Sequence, residues 1–354
     1  MMAHVISLLL ASLGHTCDPL LPRQSPPLNI HDLRIDDFKV IMAMGDSMTA
    51  GFNGAAKADM KEHRGLGFSI GGDRNAVTLP NLIAAVKGNG ELVGPSIGTL
   101  SKPTINGTCA GADVSVCRLG SAVDGADLQD LIDLQINYLN HTLGTAPWAA
   151  NVSILEDWKL LTIFSGLDDA VFYNTTDTHK LPTSPELFAT NLDRLLHSVY
   201  AVFPRTFVNL VLLPENFQPK ITTAHLTCKL FKWYSEHVGI HWTDTHLWIA
   251  TIKRYNEILI EVANTWNLKG MGDFGVAPQP FMQEAQLELS DMDSLDCFHP
   301  NLASHQGMAV ALWNNMHASS YAEKSRDWKQ QQNATCPKPA SRLVLSSESS
   351  MLVV

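Results

Sequence analysis

Charge is the first scarcity. Only 17% of the 354 residues are Asp, Glu, Lys or Arg, and 25 basic residues face 35 acidic ones for a formal net charge of −10. A chain that wraps nucleic acid or lies electrostatically on anionic lipid needs the opposite balance, which argues against both roles. Long apolar runs are also missing: past the N-terminus none reaches the roughly 18 to 20 residues that span a bilayer. No segment repeats at a fixed period, so a solenoid or propeller is not expected. The six cysteines include no C-x-x-C pair, which argues against structural zinc. Apolar residues, by contrast, make up 45% of the chain, enough to build a sizeable core.

The N-terminus reads as an address. Ile6 to Leu13 is a short apolar run followed by Gly14, His15 and Thr16. Residues 1–16 therefore resemble a secretory signal peptide, although no Lys or Arg precedes the run; the competing reading is a buried N-terminal helix. Five N-glycosylation sequons, at Asn106, Asn140, Asn151, Asn174 and Asn333, point the same way. So does an even number of cysteines, which suits three disulfides in an oxidising compartment. Six thiols allow fifteen connectivities. Cys109 and Cys117 are close enough in sequence to be expected to close a small loop. Cys228 with Cys297 and Cys17 with Cys336 follow only by elimination. The expected location is secreted or luminal.

Residues 17–36 carry Pro19, Pro22, Pro26 and Pro27 and read as an irregular lead-in. Phe38–Met44 reads as a continuous apolar run that suits a buried parallel strand, and Leu160–Phe164 and Phe207–Leu213 read as two further buried strands. Helical periodicity separates them: Phe188, Leu192, Leu195, Val199 and Phe203 share one face, as do Leu128, Leu131, Ile132, Gln135 and Leu139. Trp248–Trp266 and Met308–Met316 read as helices too. Buried strands alternating with amphipathic helices predict an α/β fold with a mostly parallel sheet between two helical layers. The domain is expected over residues 37–320, and the polar stretch 321–354 as a disordered tail.

In such a sheet, functional groups collect beyond the carboxyl ends of the strands. Ser47 sits there, in Gly45-Asp46-Ser47 after the first strand. A serine hydroxyl needs a base, and His299 in Asp296-Cys297-Phe298-His299 is the informative histidine of fourteen. The spacing lets a turn bring Asp296 to the imidazole, which would hold the tautomer that accepts the serine proton. Asp46 is read as tying its turn together and His305 as a structural histidine near a helix start. Gly71 and Gly72 are read as permitting a turn.

Gly45-Asp46-Ser47-Met48-Thr49-Ala50-Gly51 resembles the first block of the GDSL lipase or SGNH hydrolase superfamily. Arg64–Asp73 and Thr78-Leu79-Pro80-Asn81 resemble its phospholipase B branch, and Gly125-Ala126 and Asp296–His299 resemble later blocks in the family's order. The resemblance implies a three-layer α/β/α sandwich of flavodoxin-like type, with Ser47 as nucleophile, His299 as base and Asp296 as its orienting partner. It implies oxyanion donors from the Ser47 and Gly125 N–H groups, and no metal or organic cofactor. The family's third donor is an asparagine; in Gly166-Leu167-Asp168-Asp169 its place is taken by Asp168, whose ionised carboxylate cannot donate a hydrogen bond.

The function so implied is hydrolysis of phospholipid or lysophospholipid acyl esters, weakened by Asp168, with the lipid ester as partner and the oligomeric state left open. Two alternatives share the same blocks. One is a catalytically impaired relative that binds lipid or a protein, favoured by Asp168; the other is a carbohydrate-ester deacetylase, disfavoured by the resemblance of Arg64–Asp73.

Overall fold

The computed structural model describes residues 17–55, 59–88, 90–101, 109, 113–174, 179–180, 183–217, 226–237, 240–241, 245–331 and 333–345. Its centre is a four-stranded sheet of β1 (Val40–Gly45), β2 (Lys159–Phe164), β5 (Thr206–Val211) and β7 (Phe274–Gln279) in the order β1-β2-β5-β7, every pairing parallel. Three short strands, β3 (Phe172–Asn174), β4 (His179–Lys180) and β6 (Ile240–His241), form a separate antiparallel sheet. All six residues of each central strand are buried, as a parallel sheet covered by helices on both faces requires. Helices Pro185–Val202 and Thr245–Leu268 pack on each other, the latter also on β7. Leu302–Met316 packs on Leu79–Lys87 and on β7.

The three expected strands form within a residue or two of their apolar runs. The fourth, β7, has no apolar run in its sequence: Gly275, Pro278 and Gln279 interrupt it. It sits at the end of the strand order, where a proline's missing N–H costs no ladder bond. Residues beyond β1 cover the opposite edge: Ile41 and Ala43 donate their N–H groups to the Val93 and Leu119 carbonyls at 2.9 and 3.0 Å. The last helix starts six residues earlier than its apolar period suggests, because Asn301 caps it through an acceptor bond from the Ser304 N–H at 3.1 Å.

The expected disordered tail is a correction. Over residues 321–345 the chain lies on the domain: Trp328, Leu343 and Leu345 join the hydrophobic core, and the Leu343 N–H donates to the Leu33 carbonyl at 3.0 Å. Lys324 is buried with its ammonium on the Pro278 carbonyl at 2.9 Å, and burial pushes its pKa down to about 7. The apolar anchors are too far apart for a local composition window to register them. The lead-in is fastened as well, with Ile30, Leu33 and Ile35 buried and Cys17 bonded to Cys336. Cys109–Cys117 and Cys228–Cys297 complete the pairing.

Residues 1–16, residues 346–354 and Asn106 lie outside the described residues. Asn140, Asn151 and Asn333 are exposed, and Asn174 ends β3. Among the described residues no helix is long and apolar enough to cross a membrane.

Candidate active site

The site begins where β1 stops. Gly45 has φ +155°, and a Cβ there would stand 2.2 Å from the Phe164 carbonyl oxygen of β2, so a side chain is sterically barred. The turn that follows is capped by Asp46, whose carboxylate accepts the Met48 N–H at 2.9 Å, and Ser47 opens the short helix Ser47–Ala50. Asp46 does tie the turn. It is also fully buried, and burial raises its pKa to about 7. From the other side the Gln135 amide grips Gly45, accepting its N–H at 2.9 Å and donating to its carbonyl at 2.7 Å. Gln135 closes a π-helical turn, Leu131–Gln135, that interrupts an otherwise α-helical stretch.

His299 meets Ser47 across 252 residues of sequence. Its Nε2 lies 2.8 Å from the Ser47 Oγ, and its Nδ1 lies 2.7 Å from an Asp296 carboxylate oxygen. The second Asp296 oxygen accepts the backbone N–H groups of Phe298 and His299 at 2.8 and 2.9 Å. Burial opposes charge on Asp296, yet the His299 charge and these hydrogen bonds outweigh it and hold the carboxyl below its ordinary range. Burial likewise lowers the His299 pKa, but the Asp296 charge and hydrogen bond, with the charges of Asp124 and Asp46, outweigh it and leave it raised. The Phe52 and Phe298 rings flank the imidazole at 4.7 and 4.9 Å between centroids. Cys297 takes φ +57° inside this turn and is bonded to Cys228.

Two further loops carry the remaining residues of the candidate site. Val123 donates its N–H to the Gly45 carbonyl at 3.1 Å, which ties the loop carrying Asp124 and Gly125 to the end of β1; Gly125 is exposed with φ +77°. Arg64, fully buried and paired with Glu62, holds this loop by donating to the Gly120 and Ala122 carbonyls at 2.8 and 2.7 Å. That gives the Arg64–Asp73 block a physical task. At the end of β2, Gly166 (φ +130°) starts the helix Leu167–Ala170 that carries Asp168, which is half-buried. Its neighbour Asp169 turns inward and accepts the Leu128 N–H at 3.1 Å, so the two loops are joined.

Three further residues have no motif to announce them. Asn53 donates to Asp296 at 2.6 Å, Gln135 grips Gly45, and Asp124 lies near Ser47 and His299, its own pKa raised chiefly by burial. Only Gln135 has a signal in the pattern, as the one polar residue on an apolar helical face. His305 is buried without a hydrogen-bond partner, its ring stacked on Phe68 6.2 Å away, and burial drives its pKa down to about 3. Neutral and enclosed, it is a packing group. Among the described residues no cluster of His, Cys, Asp and Glu is arranged to hold a metal ion.

A family model described as GDSL-like lipase/acylhydrolase matches residues 41–312. Phospholipase B1, membrane-associated, of Mus musculus is 28% identical over 367 residues, covering 95% of this chain and 23% of that protein. The protein of the same name from Rattus norvegicus is 28% identical over 324 residues, 85% of this chain and 21% of that one. The chain therefore spans under a quarter of the length of these relatives. An acetyl xylan esterase variant from Geobacillus stearothermophilus superimposes with a TM-score of 0.40 at 14% identity, over 78% of this chain and 93% of that one.

Proposed function

Because the chain belongs to the GDSL-like lipase/acylhydrolase family, and so to the carboxylic ester hydrolases, we propose that it cleaves acyl esters of phospholipids or lysophospholipids through an acyl-enzyme on Ser47. The observation that carries this reading is the unbroken hydrogen-bond chain from Ser47 through His299 to Asp296 at a parallel strand's carboxyl end. The Ser47 Oγ attacks the ester carbonyl while His299 Nε2 takes its proton; the same proton is then given to the leaving alcohol. Water repeats the cycle against the acyl-enzyme. Asp296 keeps the Nδ1 proton in place and offsets the imidazolium charge. The oxyanion is received by the Ser47 and Gly125 N–H groups, and Asp168 occupies the third donor's place. The phospholipase B1 relatives support lipid as the substrate class.

Secretion is part of the same proposal. Three disulfides and the exposed sequon asparagines Asn140, Asn151 and Asn333 support it. The decisive experiment is labelling of the purified protein by a serine-directed fluorophosphonate, with Ser47→Ala as control. Labelling confined to Ser47 is the expected result; folded protein that resists labelling overturns the catalytic reading. The competing reading, a lipid- or partner-binding protein with impaired catalysis, is favoured by Asp168 where the family has an asparagine and would be adopted on that outcome.

A further inference from the structure

Asn53 is fully buried and stands at φ +52°, a backbone conformation that asparagine tolerates better than most side chains. Its amide has two uses. The Nδ2 donates to Asp296 Oδ2 at 2.6 Å, the same oxygen that faces His299 Nδ1, and its Oδ1 accepts the Met60 N–H at 2.8 Å. The Asn53 N–H itself donates to the Lys61 carbonyl at 2.8 Å, so both ends of the residue are fastened. With Phe52 against the His299 ring, the stretch from Ser47 to Asn53 carries the nucleophile and touches both of its partners.

We infer that Asn53 is a positioning residue of the serine–histidine–aspartate chain, which aims the Asp296 carboxylate at His299 and tunes the basicity of the imidazole. The inference rests on the reading of Ser47, His299 and Asp296 given above. An amide N–H donated to an ionised carboxylate draws charge from the oxygen it touches. Asp296 Oδ2 is shared between Asn53 and His299, so whatever charge Asn53 draws is withheld from the imidazolium. The sign follows: without the Asn53 donor, Asp296 holds the imidazolium more strongly, the His299 pKa rises, and less free base remains at neutral pH. The other titratable groups that face His299 are Asp46, Asp124, Asp293 and His305, and those that face Asp296 are Asp124 and Asp293. None of them hydrogen-bonds Asn53 in the structure.

Two variants separate donor from anchor. Asn53→Asp keeps the shape, the left-handed backbone preference and the acceptor for Met60, but replaces the donor by a second carboxylate. Asn53→Gly keeps the backbone freedom and removes the side chain. The His299 ring titration, followed by NMR on the full chain, should move to higher pH in both variants, by about one unit in Asn53→Asp and less in Asn53→Gly. The acid limb of ester hydrolysis should move with it, while the thermal unfolding midpoint reports any cost to the fold separately. A His299 titration unmoved in both folded variants overturns the inference. Because the NMR titration needs no turnover, it distinguishes that result from failure of the catalytic reading, which shows itself as parent protein that fluorophosphonate does not label. If Asn53→Asp does not fold, Asn53→Gly alone decides, by the same criterion.

Discussion

On one flank of Ser47 the His299–Asp296 pair is met by partners at 2.6 to 2.9 Å, from a side-chain amide, two backbone N–H groups and the nucleophile itself. Two other loops carry carboxylates, Asp124 near Ser47 and Asp168 at the end of β2, and in the proposed mechanism this is the flank where the negative charge of the tetrahedral intermediate builds. The first flank is arranged to create a nucleophile. In the proposed mechanism the second receives an anion, and yet it carries groups of the same sign. Rate in this family depends on both, and the magnitudes are unequal. Loss of a triad member costs on the order of 10⁴- to 10⁶-fold, whereas loss of one oxyanion donor costs roughly 10²- to 10³-fold. An enzyme with an intact first flank and a compromised second is therefore slow, not dead.

The largest expected effects break the first flank. Ser47→Ala should remove ester hydrolysis by a factor on the order of 10⁴ to 10⁶ and leave the fold intact, since the hydroxyl lies at a strand-end turn outside the apolar core. Asp296→Asn should cost about 10⁴-fold, because an amide that donates toward Nδ1 favours the wrong imidazole tautomer. Initial rates on a short-chain ester, with circular dichroism in parallel, check both. Parental activity in Ser47→Ala would place the nucleophile elsewhere.

A smaller effect of opposite sign should come from the second flank. Asp168→Asn restores an amide donor where the family has one and removes a repelling charge, so the rate on the same ester should rise at least about tenfold. The gain should be in kcat more than in KM, since the interaction forms with the oxyanion and not with the ground-state carbonyl. An unchanged or lower rate would mean that Asp168 does not face the oxyanion, and that the Gly166–Asp169 block is out of register with the family's.

This asymmetry was only half legible in the sequence. Ser47, His299, Asp296 and the Asp168 departure all fall in contiguous blocks, because each sits in a tight turn whose neighbours must also have particular shapes. Gly45 is barred from carrying a side chain, and Cys297 is held at positive φ. The strands were legible for a simpler reason: burial on both faces makes them mostly apolar, with single polar residues such as Thr162 and Asn209 inside the runs. What was hidden depends on long-range contact. Asn53 reaches Asp296 across 243 residues, and Gln135 reaches Gly45 across 90. The β7 strand and the fold-back of residues 321–345 are likewise sustained by partners distant in sequence, so no local window contains their cause. Asp124 is the most instructive omission. Gly125 lies in a recognisable motif, while nothing local in the sequence marks the charged residue beside it.

Asp124 supplies the smallest of the expected effects and the finest test of how the two flanks communicate. Its charge adds to those of Asp296 and Asp46 in raising the His299 pKa. The parent's acid limb should accordingly lie above 6.5, the ordinary imidazole value, and activity should grow as pH rises through it. Asp124→Asn removes one of the charges that favour the imidazolium, so the limb should move to lower pH by about half a unit. Asn retains a polar group next to Ser47, and Asp46, Asp293 and Asp296 still face the imidazole, so the shift is bounded. At neutral pH more His299 is then free base, and the rate should rise about two- to threefold. A full pH–rate profile of both proteins measures limb and plateau separately. If the limb stays where it was while only the plateau climbs, Asp124 acts on the developing oxyanion alone and belongs with Asp168. If the limb moves as stated, Asp124 is the point where the anion-receiving loop acts on the base.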